Sequence, residues 1–204
     1  MIFTRAATSS HAGNVREKER IFSFKETTGE NSSHDSKPVS WEKNTAEIKK
    51  EINTINIETL YVLSIRLYDL GKKYEAVYWF YNAQMRARVF MDSLDPNKIG
   101  SIGSTAFELK HAFLSFNELA GTYINGHAFG DIDKLIKVLN KVLEENTEYN
   151  PSKVYPKVKF LSKRKMKKIQ KDYIDGLKEM IDYVVNNKEE IYRLRKENGI
   201  EGKY

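Results

Sequence analysis

The 204-residue chain is 40% hydrophobic and 30% charged, ordinary proportions for a globular protein with one core and room for an arm. It contains no cysteine, which excludes disulfides, thiolate metal sites and cysteine nucleophiles, and which suits a reducing cytosol. The net charge of +6 divides unevenly, as +1 over residues 1–40, −2 over 41–150 and +7 over 151–204, so the basic character belongs to the last quarter.

The opening MIFTRAATSS lacks the apolar run of a secretory signal, and no stretch approaches the roughly 18 apolar residues of a membrane span. A cytoplasmic protein with no membrane association is the expectation. Residues 1–40 mix Ser, Thr, Gly, Asn and charges without helical period, and NSSHDSKP at Asn31 to Pro38 has linker composition. That composition predicts a disordered arm over 1–40, followed by a helical domain over 41–204.

Helical signals begin at Trp41, with Ser40 as a cap and a weak apolar stripe of Ala46, Ile48, Ile52 and Ile55 to about Thr54. Ile57, Leu60, Tyr61, Ser64, Leu67 and Tyr68 then give an i, i+3, i+4 face over 57–70. Gly71 stops that helix, and Tyr74 to Phe90, YEAVYWFYNAQMRARVF, is so densely aromatic that its apolar surface reaches most of the way round. A helix of this kind belongs inside a bundle, so 57–70 and 72–91 are expected as an antiparallel hairpin with the second helix central.

Turn chemistry fills Ser93 to Gly103. A helix over 104–124 follows, with Asn125-Gly126 expected to stop it, and Asp131 starts the best amphipathic stripe of the chain over 131–146. Beyond Asn150-Pro151 the stretch to Leu161 alternates Val154, Tyr155, Val158 and Phe160 with lysines, which reads as an extended crossover. A long helix from Ser162 to about Asn198 completes the chain, with Gly176 and Asn186-Asn187 as its weak points. The expected fold is all-α: a single bundle of about six helices built from antiparallel hairpins.

Few residues point to chemistry. Lys163, Arg164, Lys165, Lys167 and Lys168, with Lys171 beyond them, make a face able to bind phosphates or another anion, and cations at a helix N-terminus carry a small electrostatic cost that an acidic partner offsets. Gln84, Arg86 and Arg88 interrupt the aromatic helix, with Arg88 one turn from Asp92. Of the many tyrosines, Tyr78 and Tyr81 are the expected interface anchors, beside Gln84 and Arg88, because a tyrosine ring buries area while its hydroxyl tolerates water. His111 near Glu108 and His127 near Asp131 lack the third group that acid–base or metal chemistry needs, and Gly103-Ser104-Thr105 lacks the glycines and lysine of a phosphate loop. No cofactor, no metal and no enzymatic activity are expected.

Two resemblances add to this reading. Ala76, Trp79, Phe80 and Ala83 after the Gly71 turn resemble the second half of a Sel1-like or tetratricopeptide unit, in which small residues let two helices approach while the aromatic pair fills the groove; no second copy recurs at a period of about 34 residues. The run Ala76 to Arg88, with INGHAFGD at Ile124 to Asp131 and KLIKVLNKVL after it, resembles small all-helical bacterial proteins of the toxin-immunity type. That second resemblance covers about residues 57–146 and carries over to Trp79, Phe80, Gln84, Arg88, Asn125, Phe129, Gly130 and Asp131, most of them as fold-holding positions. It implies a cytosolic non-catalytic protein that neutralises a cognate toxin by contact. The alternative is a nucleic-acid-associated protein acting through the basic C-terminal helix.

Overall fold

The computed structural model describes residues 52–204. The arm expected over 1–40 and nearly all of the first expected helix lie outside the described residues. Seven helices are present among the described residues, and no strand is; one isolated antiparallel bridge joins Leu94 to Phe160.

Helix α1 spans Ile57–Asp69, and the Asn56 side chain caps it by accepting from the Thr59 amide at 2.8 Å. Its stop is set by Gly71, whose φ of +75° lets Gly71 and Lys72 donate back to the carbonyls of Tyr68 and Leu67. Helix α2, Lys73–Ser93, then runs back along α1. Ala76, Trp79, Phe80 and Ala83 are all fully buried, and the Ser64 hydroxyl donates to the Ala76 carbonyl at 2.9 Å across the hairpin. The close approach expected from the small residues is therefore present.

Helix α3 spans Thr105–Ala128 and passes straight through Asn125-Gly126, which was expected to end it. A helical glycine costs about 1 kcal/mol relative to alanine, and the burial of Ile124 and Ala128 on either side outweighs it. The turn comes instead at Phe129-Gly130, and Asp131 caps α4, Ile132–Asn146, by accepting from the Lys134 amide at 3.1 Å. The backbone bond to Lys134 holds the Asp131 carboxyl below its ordinary range.

Pro151 opens a four-residue helix, α5 (Pro151–Val154), where the sequence had suggested extended chain. The crossover proper follows, with its lysines exposed and Tyr155 and Val158 buried. Its ends are fixed by two long-range locks. The Tyr155 hydroxyl accepts from the Ile57 amide at 2.7 Å and donates to Glu58 at 2.5 Å, while Leu161 N and Asp95 N donate to the carbonyls of Ser93 and Lys159. Helix α6 spans Lys163–Asn186 and α7 spans Lys188–Glu197. The break falls at the expected asparagines, where the Asn187 side chain donates to the Tyr183 carbonyl at 2.8 Å; Gly176 is accommodated inside α6. Beyond Val184 no residue of α7 is buried, so nothing apolar carries the α6 stripe past the break.

Candidate functional site

Helix α2 touches α1, α3, α4, α5 and α6, so most of its surface is covered, with Gln84, Arg88 and Met91 only partly so. This decides the fate of the expected tyrosine anchors. Tyr78 and Tyr81 are only 6% and 5% exposed, and the groove of accessible rings expected there is not on the surface. The Tyr78 hydroxyl donates to Glu145 at 2.5 Å, with Lys141 Nζ 4.9 Å above the ring; burial, reinforced by Glu145, pushes the phenol pKa up. Burial alone drives the same upward shift in Tyr81. The half-buried Gln84 donates to Asn117 at 3.0 Å, and Asn117 in turn donates to the Tyr61 hydroxyl at 2.7 Å. Arg88 is half-buried near Tyr61, Tyr81 and Tyr173, and Asp92, its expected partner, accepts from Tyr173 at 2.5 Å.

Between α2, α4 and α6 lies a buried polar cluster that the sequence reading did not single out. Arg86 is fully buried, its Nε donating to Asn146 Oδ1 at 2.7 Å, its Nη1 to the Ile52 carbonyl, and its guanidinium carbon 4.7 Å from the centre of the Tyr149 ring. Asn146 also donates to Asn82 at 2.7 Å, Asn82 donates to Glu145 at 3.4 Å, and Gln170 on α6 donates to the Asn146 carbonyl. Among the described residues the guanidinium is thus held by amide dipoles and an aromatic face, with no carboxylate in ion-pair contact. Desolvation lowers the Arg86 pKa, an effect opposed by Tyr149 and Glu145. The sequence hint was the trio Asn82, Arg86 and Asn146, polar residues at positions the helical period assigns to the interior.

The basic residues lie elsewhere. Lys163, Arg164, Lys165, Lys167 and Lys168 are all exposed along the first turns of α6, opposite the buried Met166 and Gln170. From Tyr149 to Lys171 the chain carries nine Lys or Arg and no Asp or Glu, so the crossover lysines 153, 157 and 159 extend the same run. The end of α2 brings Asp92 and Asp95 towards the crossover, but Tyr173 occupies the first and the Asn97 amide, at 3.0 Å, the second. Along the first turn of α6 the cations Lys163, Arg164 and Lys165 are exposed with no acidic residue beside them, while Lys171 at the far end of the run pairs with Asp175.

The histidines sit apart from both features. His111 is exposed, its ring tilted against Phe107 at 4.2 Å between centroids, while Glu108 accepts from the Gly103 amide. His127 lies at the end of α3 against Tyr74, with its Nδ1 3.4 Å from the Tyr204 carbonyl oxygen; burial lowers its pKa. No group of three or more His, Cys, Asp or Glu among the described residues is placed to hold a metal ion, and no described helix is long and apolar enough to cross a membrane. The positions carried over from the immunity-type resemblance do architectural work here: Trp79 and Phe80 fill the hairpin, Asn125 and Phe129 close α3, and Gly130-Asp131 opens α4.

A comparison with curated proteins finds a relative in Haemophilus influenzae (strain ATCC 51907 / DSM 11121 / KW20 / Rd), an uncharacterized protein 26% identical over 152 residues. The match takes in 72% of this chain and 56% of the relative, so the chain spans little more than half of the relative's length. No family model matches the sequence. No solved structure matches it either.

Proposed function

We propose that the protein acts by contact rather than catalysis, as an immunity-type binding protein that neutralises a cognate toxin, and that the cationic strip at the start of α6 is its contact surface. One observation carries this reading: five exposed cations at one helix N-terminus, within a 23-residue run free of acidic residues. Such a strip costs self-repulsion and opposes the helix dipole, and an acidic partner surface offsets both. The resemblance over about 57–146 supplies the class of partner. With Tyr78 and Tyr81 inside the bundle, the strip replaces them as the contact surface, and Gln84 and Arg88 brace the interior.

Co-expression with the protein encoded immediately upstream tests the reading. A complex on gel filtration and rescue from that protein's toxicity are expected, and the quadruple variant Lys163→Glu, Lys165→Glu, Lys167→Glu, Lys168→Glu should lose both while keeping its helicity. No complex and no rescue would remove the proposal. The same strip favours a second reading, binding to nucleic acid, because a row of lysines on one helix can neutralise successive phosphates. In that case affinity for a duplex or single strand falls steeply with salt and the quadruple variant loses it; binding indifferent to both eliminates this class.

A further inference from the structure

At the far end of the bundle a short segment folds back onto α3. Helix α7 ends in a glycine stop: Gly199, at φ +61°, donates to Lys196 O, and Ile200 donates to Arg195 O. A second turn at Gly202, φ +72°, then aims Tyr204 at α3. The ring lies directly on Gly126: a Cβ at that position would fall 2.3 Å from the Tyr204 Cδ2 atom and 2.7 Å from Cγ and Cε2. Real Cβ atoms essentially never approach so closely, so any side chain at 126 would push the ring off this position. Tyr123, one turn earlier on α3, meets it edge-on at 6.1 Å between centroids, and the His127 Nδ1 lies 3.4 Å from its carbonyl oxygen. In the Nδ1–H tautomer of His127 this contact is a long donated hydrogen bond to the Tyr204 carbonyl. This geometry explains a glycine inside a helix, which local sequence rules read as a stop.

The hold on the segment is slight. Glu201, Gly202 and Lys203 are exposed, Tyr204 itself is only half-buried, and glycines flank the stretch on one side and interrupt it on the other. We propose that the glycine-floored seat formed by Gly126, Tyr123 and His127 is a binding site for an aromatic residue, filled in cis by Tyr204, and that a partner's aromatic segment enters it by displacing the Ile200–Tyr204 strap. The site asks for a flat ring to lie on the glycine backbone and a carbonyl acceptor for the histidine N–H. It is separate from the α6 strip and stands whether or not the toxin reading holds.

The full-length Tyr204→Ala protein frees the seat, and the synthetic peptide Gly-Ile-Glu-Gly-Lys-Tyr, residues 199–204, is the probe. Nuclear magnetic resonance of the Gly126 amide and the His127 ring reports on the site. Tyr204→Ala should shift both signals, and added peptide should bring them back towards their wild-type positions. Wild-type protein should bind the peptide at least about tenfold more weakly, because a tethered ring competes at millimolar effective concentration. The double variant Gly126→Ala, Tyr204→Ala should not bind, although its helix is favoured by the alanine; a matching circular dichroism spectrum shows that the loss is local. The same peptide ending in alanine should not bind to any of the proteins. Unchanged Gly126 and His127 signals in Tyr204→Ala, no binding at millimolar peptide, or equal binding to wild type and variant would each overturn the proposal.

Discussion

Arg86 shows how much one residue can decide in a bundle of this size. Its charge is desolvated, and two separate parts of the chain meet around it: the Ile52 carbonyl on one side, and Asn146 at the end of α4 with the nearby Tyr149 ring on the other. Removing the guanidinium strands the Asn146 and Ile52 acceptors without water, so Arg86→Ala should cost about 3 kcal/mol in urea unfolding. Arg86→Lys should recover little of that, because an ammonium cannot serve two fixed acceptors and a ring face with one planar fork. Tyr81 gives a second measure. Its ring is buried, so Tyr81→Ala should cost about 3 kcal/mol, seen as a melting temperature lower by roughly 6–12 °C, with partner binding per folded molecule unchanged. A variant of normal stability and reduced binding would restore the ring to an interface.

Helix α6 sets stability and contact against each other at the scale of an element. Its first turn carries Lys163, Arg164 and Lys165 and no acidic residue, against the preference of a helix N-terminus for negative charge. Reversing Lys163 and Lys165 to glutamate should therefore stabilise the protein by a few tenths of a kcal/mol each, while weakening binding of an acidic partner. Thermal unfolding at low and high salt checks the sign, since the gain should shrink as salt screens the dipole. A loss of stability would mean that the lysines already hold partners within the fold. Helix α3 teaches the complementary lesson: Asn125-Gly126 is a stop by local rules, yet packing on both sides carries the helix through to Ala128.

For the whole molecule, His127 on α3 meets groups from four other helices and the strap. It sits against Tyr74 and Tyr68, and Lys73 from α2, Lys134 from α4 and Arg195 from α7 all act on its charge, with the Tyr204 carbonyl opposing them. Desolvation first, and then these cations, hold its folded pKa below the ordinary value near 6.5. A depressed pKa means that the unfolded chain takes up the proton first, so stability is fully present above about pH 6.5 and falls as pH drops through the folded pKa. The expected outcome is a decline in unfolding free energy between about pH 7 and pH 5 that is shallower in His127→Gln. Equal slopes in the two proteins would show that carboxylates alone set the acid limit.

The sequence by itself determined the all-helical class, the hairpin of α1 and α2, the cap at Asp131, the glycine stop at Gly71 and the break near Asn187, whereas α4, expected to pair with α3, packs mainly on α2 and α6. Each feature so determined is governed by residues within a turn or two of one another, so periodicity and capping chemistry suffice to read them. It also marked the α6 lysines as a solvent-facing group, because an amphipathic helix declares its polar side. Only the tertiary structure decided which tyrosines are inside, that Arg86 is buried with no carboxylate in ion-pair contact among the described residues, and that Gly126 floors a seat for Tyr204. In every one of these cases the deciding atoms come from chain far away in sequence: Glu145 and Lys141 of α4 meeting Tyr78, Asn146 reaching Arg86 across 60 positions, and Tyr204 reaching His127 across 77. Local propensity holds no record of such partners, which exist only once the helices have packed.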